Sequence, residues 1–131
     1  MRIEFFMPMV PPRTTAQMHQ VTCRGGKPVF FDPPAVVAAR SKLTAHLGQH
    51  VPQERFGGPV RLVTKWCWPR GAHGDGEWKE TRPDTDNLLK LLKDCMTKLG
   101  FWTDDAQVTS EITEKFWATV PGIWIAIEEL Q

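Results

Sequence analysis

The stretch from Arg82 to Val108, RPDTDNLLKLLKDCMTKLGFWTDDAQV, decides how this chain is read. Leu88, Leu91, Leu92, Cys95, Met96 and Leu99 recur at helical spacing and form one apolar stripe, so the segment predicts a helix over 87–99. Asp86 stands where an N-cap is expected, and Gly100 where a left-handed helix stop is expected. A short Phe-Trp-Thr-Asp-Asp turn leads into a strand over 107–119. A helix of that length spans roughly 20 Å at 1.5 Å per residue, so aspartates before and after it are not neighbours by default. They approach each other only if the following strand runs back beside the start of the helix.

Immediately upstream, Val60, Leu62, Thr64, Trp66 and Trp68 alternate onto one face of a predicted strand over 60–68, with Arg61 and Lys65 on the other. Residues 69–83, PRGAHGDGEWKETRP, form a polar loop long enough to be functional or mobile. Its GAHGDG is neither a Walker loop nor a dinucleotide fingerprint. Asp32 followed by Pro33 suits a helix start, a capping carboxylate and then proline at the first helical position. That helix is expected to reach about His46, with Val36, Ala39, Leu43 and Leu47 inward and Gly48 near its stop. Val21–Arg24 and Pro28–Phe31 flank Gly25-Gly26 as a hairpin. Residues 2–7 read as a strand, and Pro11-Pro12-Arg13-Thr14-Thr15 as a stiff turn.

Pro121-Gly122 turns the chain into a last strand over 123–128, where Ile123, Ile125 and Ile127 alternate. The order of elements predicts an α+β fold, a single domain over 1–131 with a mixed sheet packed against two helices. Trp66, Trp68, Trp117 and Trp124 suit either the core or an exposed aromatic surface for a second copy.

Composition narrows the class. With 41% hydrophobic and 24% charged residues, the 131-residue chain reads as an ordinary globular protein. No apolar run has the length of a membrane span, and the opening residues do not read as a signal peptide. Cys23, Cys67 and Cys95, an odd and widely spaced set, suit a reducing compartment, so a cytoplasmic protein is expected. His46 and His50 are four apart, but Leu47 stands where a zinc protease motif needs Glu. Neither Ser41 nor Ser110 sits in a GxSxG elbow.

The net charge of +1 argues by itself against a nucleic-acid partner, yet it hides two opposite halves. Residues 1–82 carry 12 Lys/Arg against 6 Asp/Glu, and residues 83–131 carry 4 against 9. Arg13, Arg24, Lys27, Lys65, Arg70, Lys79 and Arg82 are the candidate phosphate contacts.

Asp84 and Asp86, two apart in an extended segment, put both carboxylates on one side. If Asp104 and Asp105 join them, so many carboxylates repel unless a cation lies between, and Mg²⁺ suits such a set. Such an ion could activate water and steady the leaving oxygen of a phosphodiester. Lys90, one helical turn beyond Asp86, could meet the scissile phosphate. The same residues also read as an N-cap, a solvated carboxylate and turn formers. A calcium loop fits poorly, because Leu89 and Cys95 stand where its glycine and glutamate belong.

Asp84-Thr85-Asp86-Asn87-Leu88-Leu89-Lys90, followed by Gly100-Phe101-Trp102-Thr103-Asp104-Asp105-Ala106-Gln107-Val108, closely resembles the RusA family of Holliday junction resolvases. The Pro11-Pro12 turn and the Lys27–Phe31 run are similar to its phage-type members. The resemblance implies a homodimeric, Mg²⁺-dependent endonuclease (Mn²⁺ as a possible substitute) that cuts four-way DNA junctions by paired nicks. It implies Asp84, Asp86 and Asp105 as metal ligands and Lys90 as the catalytic lysine, with Asp104 as a neighbour. One departure is that Lys79-Glu80-Thr81-Arg82-Pro83 keeps only part of the arginine run that precedes the motif in some members. A non-catalytic branched-DNA-binding module and a metal-dependent nucleotide phosphohydrolase are the competing expectations.

Overall fold

The computed structural model describes residues 1–13, 20–31 and 33–131, with the backbone alone for 20–24 and 28–31. Thr14 and Thr15 of the expected proline turn, and the expected cap Asp32, lie outside the described residues. The elements are β1 (Arg2–Met7), β2 (Gln20–Arg24), β3 (Lys27–Phe31), α1 (Pro34–Leu47), β4 (Val60–Pro69), α2 (Thr85–Leu99), β5 (Val108–Ala118) and β6 (Gly122–Glu129). A single 3₁₀ turn, Asp105–Gln107, precedes β5. Four strands form one sheet in the order β1-β6-β4-β5, and β2 and β3 form a separate hairpin. The α+β expectation of a mixed sheet with two helices holds.

β4 pairs in parallel with β5 and antiparallel with β6, so α2 is the crossover that a parallel pair requires. Alternation decides the faces. Val60, Leu62, Thr64, Trp66 and Trp68 of β4 are fully buried, together with Leu88, Leu91, Leu92 and Met96 of α2 and Leu43 and Leu47 of α1. Ile123, Ile125 and Ile127 of β6 add to the same core, opposite Met7, Phe5 and Ile3 of β1. Buried Thr64 is satisfied by the Trp66 indole N–H, which donates to its hydroxyl at 2.8 Å. Trp66 and Trp68 therefore belong to the core, whereas Trp117 and Trp124 are half-buried.

Two helix starts differ from the sequence expectation. α1 begins at Pro34, with Pro33 as its N-cap. α2 begins at Thr85 with Asp84 as N-cap, so Asp86 lies inside the first turn. The period-3.6 stripe fixes where a helix is buried but not where its first turn closes, since the first turn carries no apolar signal. Gly100 ends α2 at φ +90, where its amide donates to the Met96 and Thr97 carbonyls. His50 lies beyond α1 and stacks on Phe5 at 4.2 Å, which makes it a packing residue.

The loop after β4 is pinned along part of its length. Trp78 bridges antiparallel to Phe116, the Trp117 amide donates to the Glu77 carbonyl, and the Lys79 amide donates to the Lys115 carbonyl. This segment covers the outer edge of β5 over its second half, where an open edge would otherwise invite another chain.

Gly122 is required by a close approach. A Cβ there would stand 2.0 Å from the Phe6 ring and 2.7 Å from the Met7 carbonyl oxygen. The ring can move but the backbone oxygen cannot, so Gly122→Ala is expected to cost about 1–3 kcal/mol. Urea unfolding checks this, and an unchanged midpoint would contradict the packing described.

Candidate active site

The site is built where β4, α2 and β5 meet. β5 runs back beside α2: Lys93 donates to Glu111 at 2.5 Å, and Thr85, Asp86, Leu89, Glu111 and Thr113 line one cavity of about 270 Å³. The condition posed by the sequence, a strand returning to the start of the helix, is met. The residues that it delivers there are Glu111, Thr113 and Lys115, rather than the aspartate pair.

Asp84 is exposed, extended at φ −72 and ψ 147, and makes no side-chain cap hydrogen bond. Asp86 and Lys90 are also exposed on the same helix, one turn apart. An uncapped first turn leaves backbone N–H groups and the positive end of the helix dipole beside the two carboxylates. Such a pair fits Mg²⁺, which takes one or two protein carboxylates and keeps other positions for water and phosphate.

Asp104 and Asp105 sit beyond the other end of α2. Asp104 folds its own turn: it accepts from the Ala106 amide at 2.9 Å, while Gln107 Oε1 accepts from the Thr103 and Asp104 amides. Gln107 Nε2 donates to the Phe56 and Gly58 carbonyls, which ties the turn to the approach to β4. None of these bonds uses the Asp105 carboxylate, which is half-exposed. α2 spans roughly 20 Å, so Asp105 does not stand with Asp84 and Asp86. Among the described residues no three acidic, histidine or cysteine side chains gather closely enough to hold an ion.

The candidate phosphate contacts divide. Arg13, Lys79 and Arg82 line one cavity of about 490 Å³ with Thr81 and Trp117, adjoining the α2 start. Lys79 is only 7% exposed, and its ammonium is already bonded to Thr81 Oγ1 at 2.5 Å and the Arg82 carbonyl at 2.7 Å. Burial first, then the Lys115 and Arg13 cations, pushes its pKa below the ordinary lysine value. Lys79 is thus occupied within the protein. Lys65 sits over the Trp124 ring on the sheet face away from α2. Lys27 is exposed at the hairpin turn, and exposed Arg70 donates to the His73 carbonyl. The Arg24 side chain lies outside the described residues. Cys67 and Cys95 are free thiols, each raised in pKa chiefly by burial.

Sequence reasoning missed Glu111 and Lys115. The signal was the period-two set Glu111, Thr113, Lys115 and Trp117, but its meaning depends on register. Those residues pair with Leu62, Thr64, Trp66 and Trp68, which puts them on the helix side.

A crossover with open carboxylates at its start, beside a cationic cavity, suits an enzyme that acts on phosphodiesters. The comparisons place the chain further. The family model described as Endodeoxyribonuclease RusA matches residues 8–128, and the chain belongs to that family. A crossover junction endodeoxyribonuclease of Lactococcus phage r1t is 34% identical over 111 residues, covering 82% of this chain and 83% of its own. An uncharacterised protein, YqaN, of Bacillus subtilis strain 168 is 28% identical with the same coverage. The crossover junction endodeoxyribonuclease of Escherichia coli K12 is 49% identical over 41 residues, 31% of this chain and 34% of its own.

The two adjacent aspartates should separate experimentally. Asp104→Ala is expected to cost about 1 kcal/mol of stability through the lost cap, and Asp105→Asn less than about 0.5 kcal/mol. Equal losses in urea midpoints would contradict the division of labour in the turn.

Proposed function

We propose that this protein resolves four-way DNA junctions as a homodimer, through paired nicks that depend on Mg²⁺, with Mn²⁺ as a substitute. The observation that carries the proposal is the pair of open carboxylates at the α2 start, with Lys90 one turn along and Arg13 and Arg82 nearby. A divalent ion at Asp84 and Asp86 supplies activation of water and stabilisation of the leaving oxygen. Lys90 offers its ammonium to the phosphate being cut, and Arg13 and Arg82 hold flanking backbone phosphates as Lys27 and Arg70 extend the track. Charged groups standing on an open surface suit a polymer; a small nucleotide is ordinarily enclosed in a pocket, which disfavours the phosphohydrolase alternative. Carboxylates left free of structural bonds likewise disfavour a non-catalytic module. Junction DNA as the substrate supports a site of action in the cytoplasm of a bacterial or phage-infected cell. Among the described residues no helix is long and apolar enough to cross a membrane.

The separation of Asp105 from Asp84 and Asp86 gives the dimer a chemical role. We assign the third ligand of each ion to Asp105 of the partner subunit, so that two-fold symmetry yields two equivalent sites for two equivalent strands. Asp86→Asn is expected to keep junction binding and lose at least about 100-fold in cleavage. Mixing Asp86→Asn chains with Asp105→Asn chains is the sharper measurement. If ligands come from both chains, each mixed dimer has one intact site and nicking returns. If they come from one chain, every site in the mixture stays broken, and the absence of nicking would contradict the shared site.

A further inference from the structure

Three successive backbone carbonyls just before Asp84 are held by two buried or half-buried ammonium groups. Lys115 Nζ donates to the Thr81 carbonyl at 2.6 Å and to the Pro83 carbonyl at 2.7 Å. Lys79 Nζ donates to the Arg82 carbonyl at 2.7 Å and to Thr81 Oγ1 at 2.5 Å. Lys79 is further held over the Trp117 ring at 4.5 Å and the Trp68 ring at 5.3 Å. The His73 ring stacks on the same Trp117 at 4.3 Å.

These contacts span the sheet and the loop. Lys115 projects from β5, in register with the fully buried Trp66. Lys79 belongs to the segment pinned on the outer edge of β5, its own amide bonded to the Lys115 carbonyl. Both cations thus start from rigid backbone and end on the 81–83 loop. Hydrogen bonds from a charged donor are about twice as strong as neutral ones and orient the acceptor dipoles. The loop has no regular structure of its own, so these bonds set its path into α2.

We propose that Lys115, supported by Lys79, is a positioning residue that sets where the Asp84 carboxylate stands relative to Asp86 and thereby tunes ion binding. This rests on the reading of Asp84 and Asp86 as ion ligands. In this account Lys79 and Lys115 touch neither DNA nor the reacting atoms.

The test compares Lys115→Met, Lys115→Arg and Asp84→Asn in the full-length chain. Mn²⁺ affinity is read by electron paramagnetic resonance without DNA, and junction affinity by gel shift in chelator. Lys115→Met is expected to weaken Mn²⁺ binding about 10-fold while junction affinity stays within about twofold, and Lys115→Arg to recover most of the loss. Unchanged Mn²⁺ affinity in Lys115→Met, with Asp84→Asn impaired, would overturn the positioning role. A parallel loss of junction affinity would overturn it in favour of a phosphate contact. If Asp84→Asn itself leaves Mn²⁺ binding unchanged, the ligand reading fails instead. Should Lys115→Met fail to fold, Lys115→Gln takes its place, removing the charge while keeping a polar side chain, and an unchanged Mn²⁺ affinity there would equally overturn the proposal.

Discussion

All 10 residues of β4 pair in parallel with β5, and parallel neighbours cannot be joined by a tight turn. The chain must leave the end of β4, cross the sheet and return to the beginning of β5. α2 is that crossing, and its apolar stripe closes the core over the sheet. The start of α2 consequently lies toward the carboxyl end of β4, where open sheets with crossover helices commonly keep their reactive groups. The same constraint sends Asp104 and Asp105 to the opposite end of the helix. One topological requirement thus fixes both the exposure of Asp84 and Asp86 and the distance that separates them from Asp105.

The return of β5 has a second effect. The face that it turns toward the helices begins with Val108 against Val60, as a core strand would, but continues through Glu111, Thr113 and Lys115. These polar groups emerge at the rim of the core, beside the loop and the first turn of α2. There Lys115 and Lys79 bond to backbone carbonyls that no helix or strand satisfies. A buried ammonium is costly unless its donors are met, and an irregular loop is costly unless its carbonyls are met. Each requirement is answered by the other, and the site loop acquires a defined shape without regular secondary structure.

Much of this was legible in the sequence, for physical reasons. The stripe from Leu88 to Leu99 and the alternation from Val60 to Trp68 report burial directly, so the elements and the α+β architecture follow from periodicity. The motif around Asp84, Asp86 and Asp105 carries the resemblance to the family in the sequence itself. Residues whose role depends on register were not legible: nothing in a linear chain says that Lys115 lies opposite Trp66 or that Glu111 reaches the cavity at Asp86. The burial of Lys79 was not legible for the same reason. A lysine in a polar loop looks solvated, and only the fold shows it buried beneath Thr81 and Arg82 and over two indoles.

The charge asymmetry also acquires a location. The cationic excess of the first 82 residues supplies Arg13 and Arg82 to the cavity beside α2, and the acidic excess that follows supplies the carboxylates at the helix start. A surface that carries both signs side by side can hold a phosphate backbone and an ion together. The most direct measurement uses a synthetic four-way junction, each strand labelled in turn, incubated with the wild-type protein beside a linear duplex of the same sequence. The account predicts nicks at two symmetry-related positions on opposing strands, present with Mg²⁺ and abolished by chelator, with the duplex left intact. Cutting of the duplex at the same rate, or nicks on the junction in chelator, would contradict it.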